Sequence, residues 1–249
     1  MIDFQHNSCV LVGDIHGEPI SFIEDLEMAN KKIEDCDVVF LGDIGLGFYY
    51  FSYAVMDWRR NNDRETMNIL DKWAEENNND VWVLRGNHDD PKCYTKRFFS
   101  KFKRVNYLKD GEIINGKNGK TYLVVPGAIS VDRIYREEGI SYWLDEPIKE
   151  NRYKRMRKRN IDGVFAHTGP TPPACFKSDF IKKMKSKDPA LEGDIQIERG
   201  IVDDIITKFN IKNWYNGHFH LNKDFPYIND CVAHAIDINF PYNLYNVNG

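Results

Sequence analysis

The apolar run Val81–Leu84 drives straight into Gly86-Asn-His-Asp-Asp90, so a strand-like segment ends on a glycine followed by an amide, an imidazole and two carboxylates. Such side chains gain nothing from packing and cost free energy to desolvate unless they are paired or bound to metal. The same design recurs in Val10-Leu-Val-Gly-Asp-Ile-His-Gly17, Val38-Val-Phe-Leu-Gly-Asp-Ile-Gly45 and Trp214-Tyr-Asn-Gly-His-Phe-His220, and without the glycine in Val164-Phe-Ala-His167. Five strand ends that each deliver Asp, Asn or His require a fold that gathers strand ends in one place. Open α/β sheets do so at their carboxyl edge, where ligands bind.

The intervening chain supports that class. Ser8–Val12 is apolar on both faces, as a central strand is, and Pro19 suits a helix start ahead of Phe22, Ile23, Leu26, Met28 and Ile33. With Asp37–Leu41 as the next strand, the opening is a βαβ unit. Residues 42–53 form a loop rich in Gly and aromatics, and Met67, Leu70, Trp73 and Ala74 carry helical spacing within Asp63–Asn77. After the strand at Val81–Leu84, Phe98, Phe99, Phe102 and Val105 are core material on a short helix or turn. Glu112–Asn115 and Lys120–Val125, joined by Gly116-Lys-Asn-Gly119, predict a β-hairpin and with it a change to antiparallel pairing in a second sheet. Asp162–Ala166, Asn213–Asn216 and Cys231–Ile236 are read as strands and Ile201–Phe209 as a helix. The stretch 168–200, with Pro170, Pro172, Pro173 and four lysines at 177, 182, 183 and 185, has the length of a lid. No repeat or linker interrupts the chain, so residues 1–249 are expected to form one domain with a lid-like insertion at 168–200.

Composition narrows the class of partner. The formal net charge of −4 argues against bulk affinity for nucleic acid. The stretch 149–159 nevertheless holds seven basic residues in eleven positions; it reads first as a solvated helix face and second as a platform for a phosphorylated partner or nucleic acid. The five cysteines are scattered and never in C-x-x-C spacing, which fits buried thiols in a reducing compartment. No amino-terminal signal and no apolar run near the ~18 residues of a membrane span is present, so a cytoplasmic protein is expected.

Asp14 and His16, two residues apart on an extended strand end, point to one side, and His218 and His220 repeat the geometry. Asp43, Asn87 and His167 follow their own strands. Carboxylates and imidazoles without cysteine suit Mn²⁺, Fe or Zn²⁺ in a non-structural site. Seven donors exceed one ion's needs and suit two ions sharing a carboxylate. Five of the seven histidines, all but His6 and His234, occupy these positions, which chance capping does not explain.

The set Gly13-Asp-Ile-His16, Gly42-Asp43, Gly86-Asn-His-Asp89, His167 and Gly217-His-Phe-His220 resembles the calcineurin-like metallophosphoesterase superfamily, in its order, across residues 10–220. The resemblance implies a sandwich of two mixed β-sheets flanked by helices. It assigns Asp14, His16, Asp43 and His220 to one metal and Asp43, Asn87, His167 and His218 to a second, with Asp43 bridging. It further implies attack on phosphorus by a metal-bridging hydroxide, with His88 on the phosphate or the leaving oxygen. Mn²⁺ is the first expectation for the metal, a small phosphorylated compound for the substrate, and aryl or nucleotide phosphate esters for its type.

The chain also departs from the family. Ile44-Gly-Leu-Gly47 follows Asp43 where the superfamily's phosphoprotein phosphatases continue with a further Asp and an Arg. Asp89 or Asp90 is then the candidate to polarise His88. Gly127-Ala-Ile-Ser-Val-Asp-Arg133 with Tyr142-Trp-Leu-Asp145 is similar to bacterial and phage members, and makes Arg133, or else Arg136, the candidate for the missing positive charge. A phosphodiesterase or nuclease is the alternative activity. A non-catalytic scaffold is the remaining one, disfavoured because every ligand position and His88 is filled.

Overall fold

The structure, a computed structural model, describes residues 1–48, 62–171 and 179–247. Among these residues, five strands form one sheet in the order β12-β2-β3-β4-β5 and seven form a second in the order β1-β6-β7-β8-β9-β11-β10. The first comprises β2 (Ser8–Val12), β3 (Cys36–Phe40), β4 (Asp80–Val83), β5 (Val105–Tyr107) and β12 (Pro241–Asn246). The second comprises β1 (Ile2–Asp3), β6 (Ile113–Asn115), β7 (Thr121–Val125), β8 (Gly163–Ala166), β9 (Asn213–Asn216), β10 (Lys223–Pro226) and β11 (Val232–Ala235). Both sheets are mixed: β2 to β5 run parallel with β12 antiparallel, and β7, β8, β9 and β11 run parallel with β6 and β10 antiparallel.

Alternation along the strands builds three apolar layers, because successive side chains leave opposite faces of a sheet. Val10, Val12, Val38, Phe40, Val81 and Val83 meet Phe22 and Leu26 of α1 (Pro19–Met28) and Met67, Leu70 and Trp73 of α2 (Asn62–Glu76). Cys9, Leu11, Val39, Leu41 and Leu84 meet Tyr122, Val124, Phe165 and Tyr215 of the other sheet. The outer face of that sheet, with Leu123, Val125, Val164 and Trp214, packs against Val202, Ile205, Ile206 and Phe209 of a long helix (Leu191–Phe209). The order is therefore helix, sheet, sheet, helix. A strand buried on both faces is apolar throughout, which is why β2 and β3 read as continuous apolar runs.

The expected strands, the 113–125 hairpin and the helix at 62–76 are present within a residue or two at their ends, whereas the helix starting at Pro19 ends at Met28 and leaves Ile33 in the following loop, where it is still buried in the core. Four strands were not anticipated: β1, β5, β10 and β12 are short, polar or begin with proline, and all lie at sheet edges where a weak pattern suffices. The long helix begins ten residues earlier than its apolar spacing suggests. Gly193 and Gly200 face open space in it, so each costs helix propensity of only about 1 kcal/mol and neither breaks it. The basic stretch is helical over Glu150–Arg155 alone, with Tyr153 buried and Arg157, Lys158 and Arg159 beyond the helix. Tyr49–Tyr53 of the aromatic loop, and Pro172, Pro173, Cys175 and Lys177, lie outside the described residues; the other four cysteines are free thiols. No helix among the described residues is long and apolar enough to cross a membrane.

Phe165 stacks on Tyr122 of the neighbouring strand at 4.5 Å, in the apolar layer shared with the other sheet, and is fully buried. Phe165→Ala should cost about 3–5 kcal/mol. Chemical denaturation measures it, and a loss below about 1 kcal/mol would show that the sheets do not depend on this contact.

Candidate metal centre

The parallel strands β2, β3 and β4 of one sheet and β8 and β9 of the other end at a common rim, and each hands the chain to one motif. Asp14 and Asp43 lie there, each about 1% exposed. The backbone N–H groups of His218 and His88 donate to them, at 3.1 Å to Asp14 and 2.7 Å to Asp43 Oδ1. The glycines make the approach possible. A Cβ on Gly86 would stand 2.0 Å from Asp43 Oδ1, and one on Gly217 would stand 2.2 Å from Asp14 Oδ1. Gly86 and Gly217 thus clear space for another motif's carboxylate, and Gly42 clears space for the His167 ring, 2.4 Å from where its Cβ would stand. The ligand candidates themselves are strained: His16, Asp43, His218 and His220 have φ of 48°, 50°, 65° and 49°, a region that side-chain-bearing residues enter at a cost of about 1–3 kcal/mol.

The donors converge as metal ligands do. His16 Nε2 and His220 Nε2 are 3.1 Å apart, and His220 Nε2 is 3.0 Å from Asp14 Oδ2. On the other side, His167 Nε2 is 2.9 Å from Asn87 Oδ1 and 3.2 Å from Asp43 Oδ1. His167 Nδ1 donates to the Leu41 carbonyl at 2.8 Å, which leaves the Nε2 lone pair aimed at the centre. Two donors bound about 2.1 Å from one ion at right angles lie about 3 Å apart, so both groups have ligand spacing. Asp43 stands between them, Oδ1 toward His167 and Oδ2 3.9 Å from His16 Nδ1. Asp14, His16 and His220, then Asp14, Asp43 and His167, and also His16, Asp43 and His88, each bring three donor atoms within 4.8 Å of one another. His218 stands outside those groups, with its ring 5.0 Å from that of His167.

Electrostatics agree with a site built for cations. Burial disfavours charge on His167, yet the Asp43 and Asp14 carboxylates overcome it and raise that imidazole to about 10. A position that binds a proton so strongly offers the same attraction to a metal ion. Burial, reinforced by His167, lowers His218 to about 3 and keeps it in the neutral, ligating form.

Beyond the carboxylates sits His88. Its ring stacks on Phe48 at 4.4 Å, and its Nε2 is 2.7 Å from Arg136 Nη2. Burial, helped by the Arg136 guanidinium, lowers His88 to about 4 against the pull of Asp43. Arg136, with its side chain 6% exposed, is fixed by Asp132 at 2.7 Å and by Ser130 Oγ at 3.0 Å. Ser130 Oγ also accepts from Asn87 Nδ2 at 3.1 Å, which ties this arginine to the metal side. Glu146 accepts from the Ser130 N–H at 2.7 Å and holds the loop.

Three sequence expectations need correcting here. Asp89 does not face His88: its carboxylate is buried and accepts from the N–H groups of Gly86, Gly45 and Leu46 at 2.7, 2.8 and 3.0 Å, fixing the loop after Asp43. Asp90 accepts from the Lys92 N–H and caps a turn. Arg133 is spent on Asp188 and Asp194, each at 2.6 Å, so the positive charge beside His88 comes from Arg136. The loop motif suggested both arginines; which of them turns inward depends on the acidic partners that the long helix and its approach supply. His6 and His234, set aside in the sequence, pair with Asp80 and Asp224 away from the rim.

The chain belongs to the calcineurin-like phosphoesterases, whose family model matches residues 8–222. With that membership it is a metal-dependent hydrolase of phosphoric esters, and the family implies two divalent ions, which the converging donors fit. A solved structure covering 94% of this chain and 91% of its own reaches a TM-score of 0.52 at 14% identity and supports the fold alone. Weaker likenesses are to phosphopantetheinyl hydrolase from Mycobacterium tuberculosis, at TM-score 0.47 and 10% identity over 93% of this chain and 90% of that one, and to a serine/threonine phosphatase from Saccharomyces cerevisiae, at 0.40 and 14% over 96% and 72%. No curated protein sequence matches the chain.

Gly86→Ala drives a methyl group into Asp43 Oδ1. Elemental analysis of the purified variant should find less than half of the wild-type metal with the circular-dichroism spectrum retained; full occupancy would show that the carboxylate tolerates displacement.

Proposed function

We propose that the chain is a phosphomonoesterase acting on small substrates, with Asp14, His16, Asp43 and His220 around one ion and Asp43, Asn87, His167 and His218 around the other. Mn²⁺ is the metal we favour, since the donor set is oxygen and imidazole without thiolate. Held by those residues, two such ions would supply an activated water as the nucleophile and would offset charge on the phosphoryl oxygens. The reading is carried by one observation: Arg136, nearly buried, stands against His88 at the edge of the converging donors. A monoester dianion presents one more charged oxygen than a diester, and the Arg136 guanidinium, held by Asp132, Ser130 and Ser141, places positive charge beside His88 where that oxygen would lie. His88, oriented by Phe48 and Arg136, would act on the same oxygens or on the leaving oxygen.

The substrate is read as small because the cavity holding His88 and Arg136 measures about 520 Å³ and is walled on its far side by residues 180–199. That wall supports the lid reading of 168–200 within one domain spanning 1–249. The phosphodiesterase alternative drew on the basic stretch. No residue of that stretch lines the cavity holding His88 and Arg136.

His88→Ala should keep its metal and fold and lose about 10²–10⁴-fold in kcat; metal loss as large as that of Asp43→Asn would remove it from this role. Arg136→Ala should lower kcat/KM for phenyl phosphate by about 10²-fold and for a bis-aryl phosphodiester by much less. Equal losses on the two, or faster turnover of the diester by the wild type, would overturn the monoesterase reading.

A further inference from the structure

The cavity beside His88 has two unlike walls. One carries Asp43, Asn87, His88, Arg136, His218 and His220; the other is built from Ile129, Val131, Phe180, Ile181 and Ile195. The second wall comes from the loop after β7 and from two helices, Asp179–Lys187 and Leu191–Phe209. Ile129 is held in place by Met184 and Leu191, fully or nearly buried, with Val131 and Ile195 packed against them. Phe180, by contrast, keeps 53% of its surface exposed, on the first turn of its helix and toward the cavity.

The lysines of this segment, expected to attract an anion, go elsewhere. Lys182 pairs with Asp179, Lys185 with Glu192, and Lys187 with the Tyr135 hydroxyl, and no described lysine lines the cavity. The helix therefore turns its apolar side, not its charged side, to the phosphate site. An ester whose alcohol carried hydroxyls would lose water there and find chiefly hydrocarbon, with Thr168, Thr171, Glu198 and Arg199 as the polar groups on that side. A hydrocarbon alcohol would exchange water for matching surface.

We infer that this wall is the binding site for the alcohol part of the substrate, and that the substrate is the phosphate ester of an apolar alcohol, aryl or alkyl, rather than of a sugar or nucleoside. The inference rests on the phosphomonoesterase reading, whose machinery occupies the facing wall. Once the phosphate sits against Arg136 and His88, the remaining volume suits a group the size of one or two rings. A cavity of this size admits a small molecule and excludes a protein surface.

The test uses the Mn²⁺-loaded protein and two series of equal headgroup, n-alkyl phosphates and the non-hydrolysable n-alkylphosphonates, each from ethyl to hexyl. Each added methylene that reaches the wall should raise kcat/KM for the esters, and lower Kd for the phosphonates by calorimetry, by about three- to fourfold. Phe180→Ser and Ile195→Asn should flatten both slopes. Glycerol phosphate should be turned over more slowly than propyl phosphate. Phosphonate affinities independent of chain length, or a preference for glycerol phosphate, would overturn the inference. Phosphonates that bind with the expected slope while no ester is hydrolysed would leave the apolar site standing and remove the phosphomonoesterase reading instead.

Discussion

Two carboxylates, Asp14 and Asp43, are buried almost completely where the two sheets meet. Unpaired charges at that depth are too costly to persist, so much of the rim is arranged around them. Backbone N–H groups of His88 and His218 turn inward to donate to them, and the Gly86 and Gly217 backbones close in where a methyl group would collide. His167 is caught between both carboxylates with its second nitrogen tied to Leu41. What those contacts leave uncompensated is negative charge facing a ring of imidazoles, and that residue of charge is the affinity for divalent cations.

The sandwich serves this arrangement. Neither sheet alone presents enough donors: the first contributes Asp14, His16, Asp43 and Asn87, and the second His167, His218 and His220. Phe165 and Tyr122, on neighbouring strands of the second sheet, pack with Leu11 and Val39 of the first in the layer that joins the two halves. Packing in the middle of the molecule thereby sets a geometry at its rim.

Much of the fold was legible because the central strands are buried on both faces and end on chemistry that packing cannot use. Edge strands such as β10 and β12 were not, because half their surroundings are solvent and their sequences are correspondingly free. At the site, the residues that converge are those nominated by the strand-end pattern, since the pattern is imposed locally by each strand. Arg133 and Asp89 were misjudged because their orientations are decided by partners distant in sequence. Arg133 is drawn off by Asp188 and Asp194, and Asp89 by the amides of Gly45 and Leu46. Phe48 belongs with them: nothing near it in the chain says that it will lie flat against an imidazole.

The left-handed backbone at His16, Asp43, His218 and His220 sets stability against use. Glycine is the residue those four conformations favour, and a chain selected only to stay folded would drift toward it there. Each such replacement would relieve strain and delete a donor in one step. Directed evolution for thermal tolerance without a demand for turnover would therefore be drawn first to these positions, and would dismantle the centre while improving the scaffold around it.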